Sequence, residues 1–311
     1  DNFFVVTDNN AHTFYVKDAL GNESTGVQYT VSGGQVDLES PVITDVTVSY
    51  GGETITQSKD YVLSSETYTF TVSATDTQSG VKEYIASNGE TTVTTKDGIF
   101  KLKGGTYTFI VKDNVGNESK GQTVTLKVDD AKPEITEIVS SNSNPTNQPV
   151  VLTISATDTE SGIYHYGISD TADGQGITWQ SSDEFTIADD KVHYFYVMNN
   201  VKPGNISEPF KYQVVNYNTN LPTIENIEGT DKNYTNESFT VTITGKSSSN
   251  AANTEFEVVA YAMDSTETWQ QENTFTINDA IAHQFYVKDS SGNISEPKSY
   301  QSVNYDVETP D

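Results

Sequence analysis

The chain contains no cysteine and no arginine among its 311 residues. Without thiols there is no disulfide, no thiolate zinc site and no cysteine nucleophile. Without guanidinium groups, the forked donor that reads phosphate and guanine is missing. All 17 cations are lysine, set against 44 Asp and Glu, and the net charge is −27. A field of that sign repels nucleic acid and an anionic membrane surface alike. Long apolar runs are absent as well, so no segment of the sequence reads as a helix that spans or inserts into a membrane. Methionine and tryptophan number two each against 18 Tyr and 13 Phe, so aromatic and β-branched side chains must fill any core. No signal peptide opens the chain and no sorting motif closes it, so an exported protein is expected to carry it as an internal piece.

What is present is a repeat. His12-Thr13-Phe14-Tyr15-Val16-Lys17-Asp18 leads into Gly21-Asn22-Glu23-Ser24, and Tyr107-Thr108-Phe109-Ile110-Val111-Lys112-Asp113 into Gly116-Asn117-Glu118-Ser119. The pattern returns at His193 to Asn199 with Gly204-Asn205-Ile206-Ser207, and at His283 to Asp289 with Gly292-Asn293-Ile294-Ser295. Its glycines lie 95, 88 and 88 residues apart. A Pro-x-Ile marker starts at Pro41, Pro133 and Pro222, and Pro310 falls at the next interval. The unit is therefore about 90 residues. The expected domains are 40–130, 131–219 and 220–311, preceded at 1–39 by the second half of another, as though a fragment boundary fell in mid-domain.

Each unit reads as strands. Phe70-Thr71-Val72-Ser73-Ala74-Thr75-Asp76 alternates apolar with polar, as do Leu152 to Asp158 and Phe239 to Gly245. Period two with one apolar face describes a half-buried strand. Turn residues recur at short spacing and no helical pattern lasts three turns. Seven or so short strands in about 90 residues predict an immunoglobulin-like sandwich. A Tyr or His stands two residues before each buried Phe of the repeated strand, where a corner-bracing tyrosine is common in that fold. The Phe takes the place of a disulfide cysteine, and Tyr84, Tyr166 and Tyr261 the place of the strand-C tryptophan.

The Ala-Thr-Asp-Thr-x-Ser-Gly motifs at 74–80 and 156–162, the Thr178-Trp179 and Thr268-Trp269 pairs and the Asp-x-x-Gly-Asn-x-Ser turns resemble bacterial immunoglobulin-like domains. These are the tandem modules of large secreted and cell-surface proteins. The resemblance implies an all-β chain of tandem immunoglobulin-like β-sandwiches arranged as an elongated rod, extracellular and monomeric. It also implies a non-catalytic spacer or stalk of an adhesin or secreted multidomain protein. The alternatives are a module that binds a glycan or host surface protein, and an accessory region of an extracellular glycoside hydrolase. The last unit departs from the pattern, with Gly245 where the others have Asp76 and Asp158 and a different loop at 246–253. The third turn is longer by two residues and carries Pro203.

No residue is assigned a catalytic, cofactor-binding or metal role. His12, His193 and His283 occupy one equivalent position in separate units, so they are read as corner braces, and His165 as a surface residue. No Gly-x-Ser-x-Gly elbow is present. With 44 acids, carboxylate pairs arise by chance. Calcium is the one cofactor the acidic turns suit, through Asp76, Asp158, Asp113 and Asp289, with Asp129-Asp130 and Asp189-Asp190 adding charge. Turn capping accounts for the same residues, and no dense Asp-x-Asp-x-Asp loop occurs. Lys17, Lys112 and Lys288 share a strand position that points outward, which argues against an internal isopeptide bond. Trp179 and Trp269 sit in matching contexts that suit a shared structural role. The Asn22, Asn117, Asn205 and Asn293 sequons are turn residues first. Loops 173–180 and 247–253 are where a binding module would differ.

Overall fold

The computed structural model describes residues 3–31 and 36–306. Among them there are strands and turns but no helix. None of the described residues forms a helix long and apolar enough to cross a membrane. The chain divides into two compact units, one of residues 1–131, 159–161 and 200–205, the other of residues 132–158, 162–199 and 206–311.

In the first unit, Ala11–Phe14 pairs antiparallel with Val27–Thr30, and Phe4 packs on Phe14 with ring centroids 5.1 Å apart. Next comes a two-sheet sandwich. One sheet has the order Glu53–Thr54, Val42–Tyr50, Thr67–Thr75, Ile99–Lys103. The other has the order Gln122–Thr125, Thr106–Asp113, Val81–Ser87, Thr92–Thr95. Alternation sends Tyr68, Phe70 and Val72 inward from one sheet and Tyr107, Phe109 and Val111 inward from the other. Phe109 is fully buried and meets Phe70 and Phe100 at 5.6 and 5.5 Å. These ring contacts fill the middle of the sandwich, where related folds often place a disulfide.

The same unit contains a three-stranded parallel ribbon in which Tyr61–Val62 pairs with both Lys127–Val128 and Val201–Lys202. The lengthened third turn thus forms a strand. The Tyr68 hydroxyl accepts from Leu63 N at 2.8 Å and donates to Lys202 O at 2.9 Å, while Lys202 Nζ lies 3.3 Å from Asp60. Burial pushes the Tyr68 phenol up to about 12.

The second unit repeats this order twice with fewer edge strands: neither copy has a counterpart of Glu53–Thr54, and the last has none of Thr92–Thr95. Glu134–Ser140, Val150–Thr157 and Glu184–Ile187 form one sheet, facing Thr178–Gln180, Ile163–Ser169, Val192–Asn199 and Phe210–Gln213. Thr223–Gly229, Phe239–Lys246 and Thr274–Ile277 then face Val258–Met263, His283–Asp289 and Lys298–Tyr300. Phe195 and Phe285 are buried like Phe109, each with an edge-on partner at 5.4 Å, Phe185 and Phe275 respectively. Tyr166 and Tyr261 pack against these cores as Tyr84 does against the first. The chain is therefore all-β, a tandem of immunoglobulin-like sandwiches with one hydrophobic cluster apiece.

Candidate functional site

The parity that buries Phe109 also buries the last residue of its strand. Tyr107, Phe109, Val111 and Asp113 are alternate residues and all face inward, so Asp113 ends the row wholly buried. Phe70, Val72, Ala74 and Asp76 obey the same rule in the opposite sheet. Two apolar rows therefore terminate in acids at the same end of the sandwich.

Local turn chemistry fixes both. Asp113 Oδ1 accepts from the backbone N of Val115, Gly116 and Asn117 at 3.0, 2.6 and 2.8 Å. Gly116, at φ +104°, supplies the left-handed residue that lets these amides converge. Ser119 Oγ accepts from Val111 N at 2.9 Å, closing the hairpin. Asn117 Nδ2 donates to Asp113 Oδ2 at 2.7 Å and to the carbonyls of Asp37 and Glu39 at 3.1 and 3.0 Å. Asp76 Oδ1 accepts from Gly80 N at 2.6 Å, and Asp37 Oδ2 from Ser79 N at 2.9 Å. Burial pushes the Asp113 carboxyl up, but these donors outweigh it and hold it below the usual range.

Asp37, Asp76 and Asp113 each offer a carboxylate oxygen, and these oxygens lie within 4.8 Å of one another. Among the described residues no other three such groups converge. The turn reading of Asp76 and Asp113 agrees with these backbone contacts, but it accounts for their Oδ1 atoms and not for the cluster. Asp37 is absent from the sequence candidates. Its signal was its place four residues before Pro41, the position of Asp129 before Pro133 and Asn218 before Pro222.

The other acidic candidates have different partners. Asp158 Oδ1 accepts from Gly162 N, and its Oδ2 accepts from Asn199 Nδ2 at 3.2 Å. Asp289 Oδ1 accepts from the backbone N of Ser291 and Asn293, and its Oδ2 from the side-chain amides of Asn218 and Asn293. Gly245 stands where Asp76 stood, and a Cβ there would lie 3.0 Å from Val287 Cγ1. Asp129 accepts from Ala131 N and Ser161 N, and Asp130 from Ser64 N and Oγ. Asp190 accepts from Ala251 N.

The histidines form clamps. His193 Nε2 meets Asp189 at 2.9 Å and its Nδ1 meets Asp170 at 3.1 Å. His283 repeats this with Asp279 at 2.9 Å and Asp264 at 2.6 Å, and His12 pairs with Asp8 at 2.7 Å. Each histidine thus braces a corner through an acid four residues earlier. Desolvation lowers the His283 pKa, but hydrogen bonds and charge from Asp264 and Asp279 outweigh it and raise it above the ordinary value. His165 lies within strand Ile163–Ser169, half-buried against Tyr164 at 3.9 Å, and not on the open surface.

Lys17 and Lys112 pair with Glu23 and Glu118 at 2.7 and 2.9 Å. Lys288 lies over the Trp269 ring at 4.1 Å, whose Nε1 donates to Thr266 O. Asn205 and Asn293, like Asn117, donate to the carbonyls that lead into their sandwiches, those of Asp129 and Asn218. The divergent loop borders a cleft of about 560 Å³ lined by Lys246, Ser247, Glu255, Phe256 and Tyr261.

No protein-family model and no curated protein matches the chain. Among solved structures it is similar to the FN1–FN3 domains of chicken CNTN1, at 12% identity and a TM-score of 0.26, over 86% of this chain and 99% of that one. It is also similar to the fibronectin(III)-like modules of Clostridium thermocellum CbhA, at 12% identity and a TM-score of 0.26, over 52% of this chain and 91% of that one. Values this low leave the fold to rest on burial and on the inner strand order, which the three sandwiches share apart from their edge strands.

Proposed function

We propose that the chain is a non-catalytic spacer, a stalk region of a bacterial cell-surface adhesin or of a secreted multidomain protein. The observation that supports this is the separation of its cores: clusters spanning 46–126, 135–217 and 239–287 draw on no residue of one another. A row of domains that each close their own interior can lengthen a molecule without needing a shared cleft. The histidines support the same reading, since His193 and His283 are each occupied by two carboxylates in a corner brace. The acidic, arginine-free surface keeps similar neighbouring domains from associating. A spacer of three and a half sandwiches demands a maximum dimension on the order of 130–160 Å, from about ten strand residues per domain at 3.3 Å plus turns. Small-angle scattering measures this, and a maximum dimension near that of a compact 34.0 kDa globule would end the spacer reading.

A second reading, a module that binds an extracellular glycan or a host protein, is favoured by the cleft beside loop 246–253. Tyr261→Ala tests it on a glycan array. A signal that the variant abolishes would support binding there, and an array without signal removes it.

A further inference from the structure

We propose that the far end of the last sandwich is a docking socket for one occupant: a sandwich whose entering end has the chemistry of Asn250 and of the Ser291–Asn293 turn, delivered by a linker like that from Asn218 to Pro222. The proposal goes beyond the spacer reading and does not depend on it. The last two sandwiches lie within one compact unit, and their junction shows such a socket filled. Its frame is the bridge of Thr146 to Tyr217, where Thr146 N donates to Asn216 O and Asn218 N to Thr146 O, each at 2.9 Å. Two parts of the following sandwich enter it. Asn250 Nδ2 donates to Val215 O and Tyr217 O at 2.8 Å each, and Asn250 is buried. Asn147 N donates to Ser291 O at 3.0 Å, and Asn147 Nδ2 to Asn293 Oδ1 at 3.1 Å. Asp190 accepts from Ala251 N.

The last sandwich builds the same frame. Tyr300-Gln301-Ser302-Val303-Asn304-Tyr305 repeats the stretch from Tyr212 to Tyr217, and Thr235-Asn236 stands where Thr146-Asn147 stood. Thr235 bridges Tyr305, Thr235 N donates to Asn304 O and Asp306 N to Thr235 O, again at 2.9 Å each. Asn304 Nδ2 donates to Asp231 O as Asn216 Nδ2 does to Asn142 O, and Gln301 Nε2 to Ala280 O as Gln213 Nε2 does to Asp190 O. Exposure separates the two frames. Thr146 and Tyr217 are buried, whereas Thr235 and Tyr305 are half-buried and Asn236 is exposed. Val303 is 83% exposed against 50% for Val215. Among the described residues, no donor reaches Val303 O or Tyr305 O, and Asn236 N reaches no acceptor. The occupant follows from this pattern. Two neighbouring carbonyls take one carboxamide, and an amide beside a carboxamide takes a carbonyl and a second Asn oxygen, which are the groups of Asn250 and of the Ser291–Asn293 turn. The chain leaves both frames through the same bond, to Thr146 O and to Thr235 O, so a linker of that length brings the entering end to the socket. One contact has no counterpart: Ala280 stands where Asp190 accepts from Ala251 N, so docking is weaker here. A short linker supplies an effective concentration on the order of millimolar, at which weak docking is still populated.

The test is amide hydrogen exchange, read by NMR, on the full chain and on the same chain extended after Pro310 by a second copy of residues 223–311. In the full chain the Asn236 amide should exchange faster than that of Asn147. In the extended chain it should slow by about tenfold or more. Ala280→Asp in the extended chain restores the acceptor that Asp190 offers and should slow it further. Asn250→Ala in the added copy alone should return it to the rate of the unextended chain. Ala280 is exposed, so its variant carries the test where the Asn250→Ala copy does not fold. Unchanged exchange at Asn236 in the extended chain, with and without Ala280→Asp, overturns the proposal, because the added sandwich would then be tethered without docking. So does protection in the unextended chain that rises with its concentration, which would mean that a second copy fills the surface instead.

Discussion

Asn199 donates its side-chain amide to Asp158 at 3.2 Å, and the same two positions one repeat earlier are both acids, Asp113 and Asp76. One substitution therefore separates a repulsive pair from a hydrogen-bonded one. Asp113→Asn is expected to lower the melting midpoint by roughly 2–6 °C, because hydrogen bonds hold the ionised carboxylate below its usual range and an amide nitrogen in place of Oδ2 would face the donor Nδ2 of Asn117. A raised midpoint would show that repulsion from Asp37 and Asp76 outweighs those hydrogen bonds.

Phe109 is fully buried between Phe70 and Phe100 and takes the place of a covalent cross-link. Phe109→Ala should cost about 3–5 kcal/mol, the transfer of the ring plus the cavity left behind. Because the clusters are separate, the loss should fall on one unfolding transition in urea and leave those of the second unit in place. Loss of all transitions together would contradict separate cores.

The His283 clamp makes a pH prediction. Its pKa is raised, so its contribution is fully present below the ordinary value of 6.5 and is lost as pH rises through the folded value. Asp264 is the opposite case. Burial pushes its carboxyl up, but hydrogen bonds from His283 and Gln284 N hold it lower, so its contribution is present above 3.8 and lost as pH falls through the folded value. The clamp is thus strongest in mildly acidic solution. The stability of wild type relative to His283→Gln should fall between about pH 6 and pH 8. A difference that is flat across that range would contradict the clamp.

Asn117 satisfies two carbonyls of the incoming segment and one carboxylate oxygen at once. Asn117→Ala should destabilise the first sandwich by about 1–3 kcal/mol. Amide exchange in the 36–40 segment should quicken in that variant. Unchanged exchange would mean that the segment is held by something else.

Much of the fold is legible in the sequence because period-two patterning and a 90-residue repeat are local signals. Phe109, Phe195 and Phe285 announce themselves as core by their spacing alone. Asp113 is legible as a turn residue at a strand end, and its inward direction follows once the parity of Phe109 is carried through Val111. Asp37 is not legible as a neighbour of Asp76 and Asp113, because that nearness arises from a chain entry that no local pattern encodes. The acids at positions 264 and 170 that complete the histidine clamps come from neighbouring strands, so only register brings them to His283 and His193. His165 misleads because alternation is broken at a bulge between Ile163 and His165.

The claim on which the rest depends is that each repeat closes its own core, and the direct measurement is chemical unfolding of residues 36–130 expressed alone. Every member of that core lies between Ile43 and Val128, so the account predicts a single cooperative transition with near-native dispersion of amide resonances. A non-cooperative transition with collapsed, undispersed resonances would contradict it, because the first sandwich would then need the rest of the chain to fold.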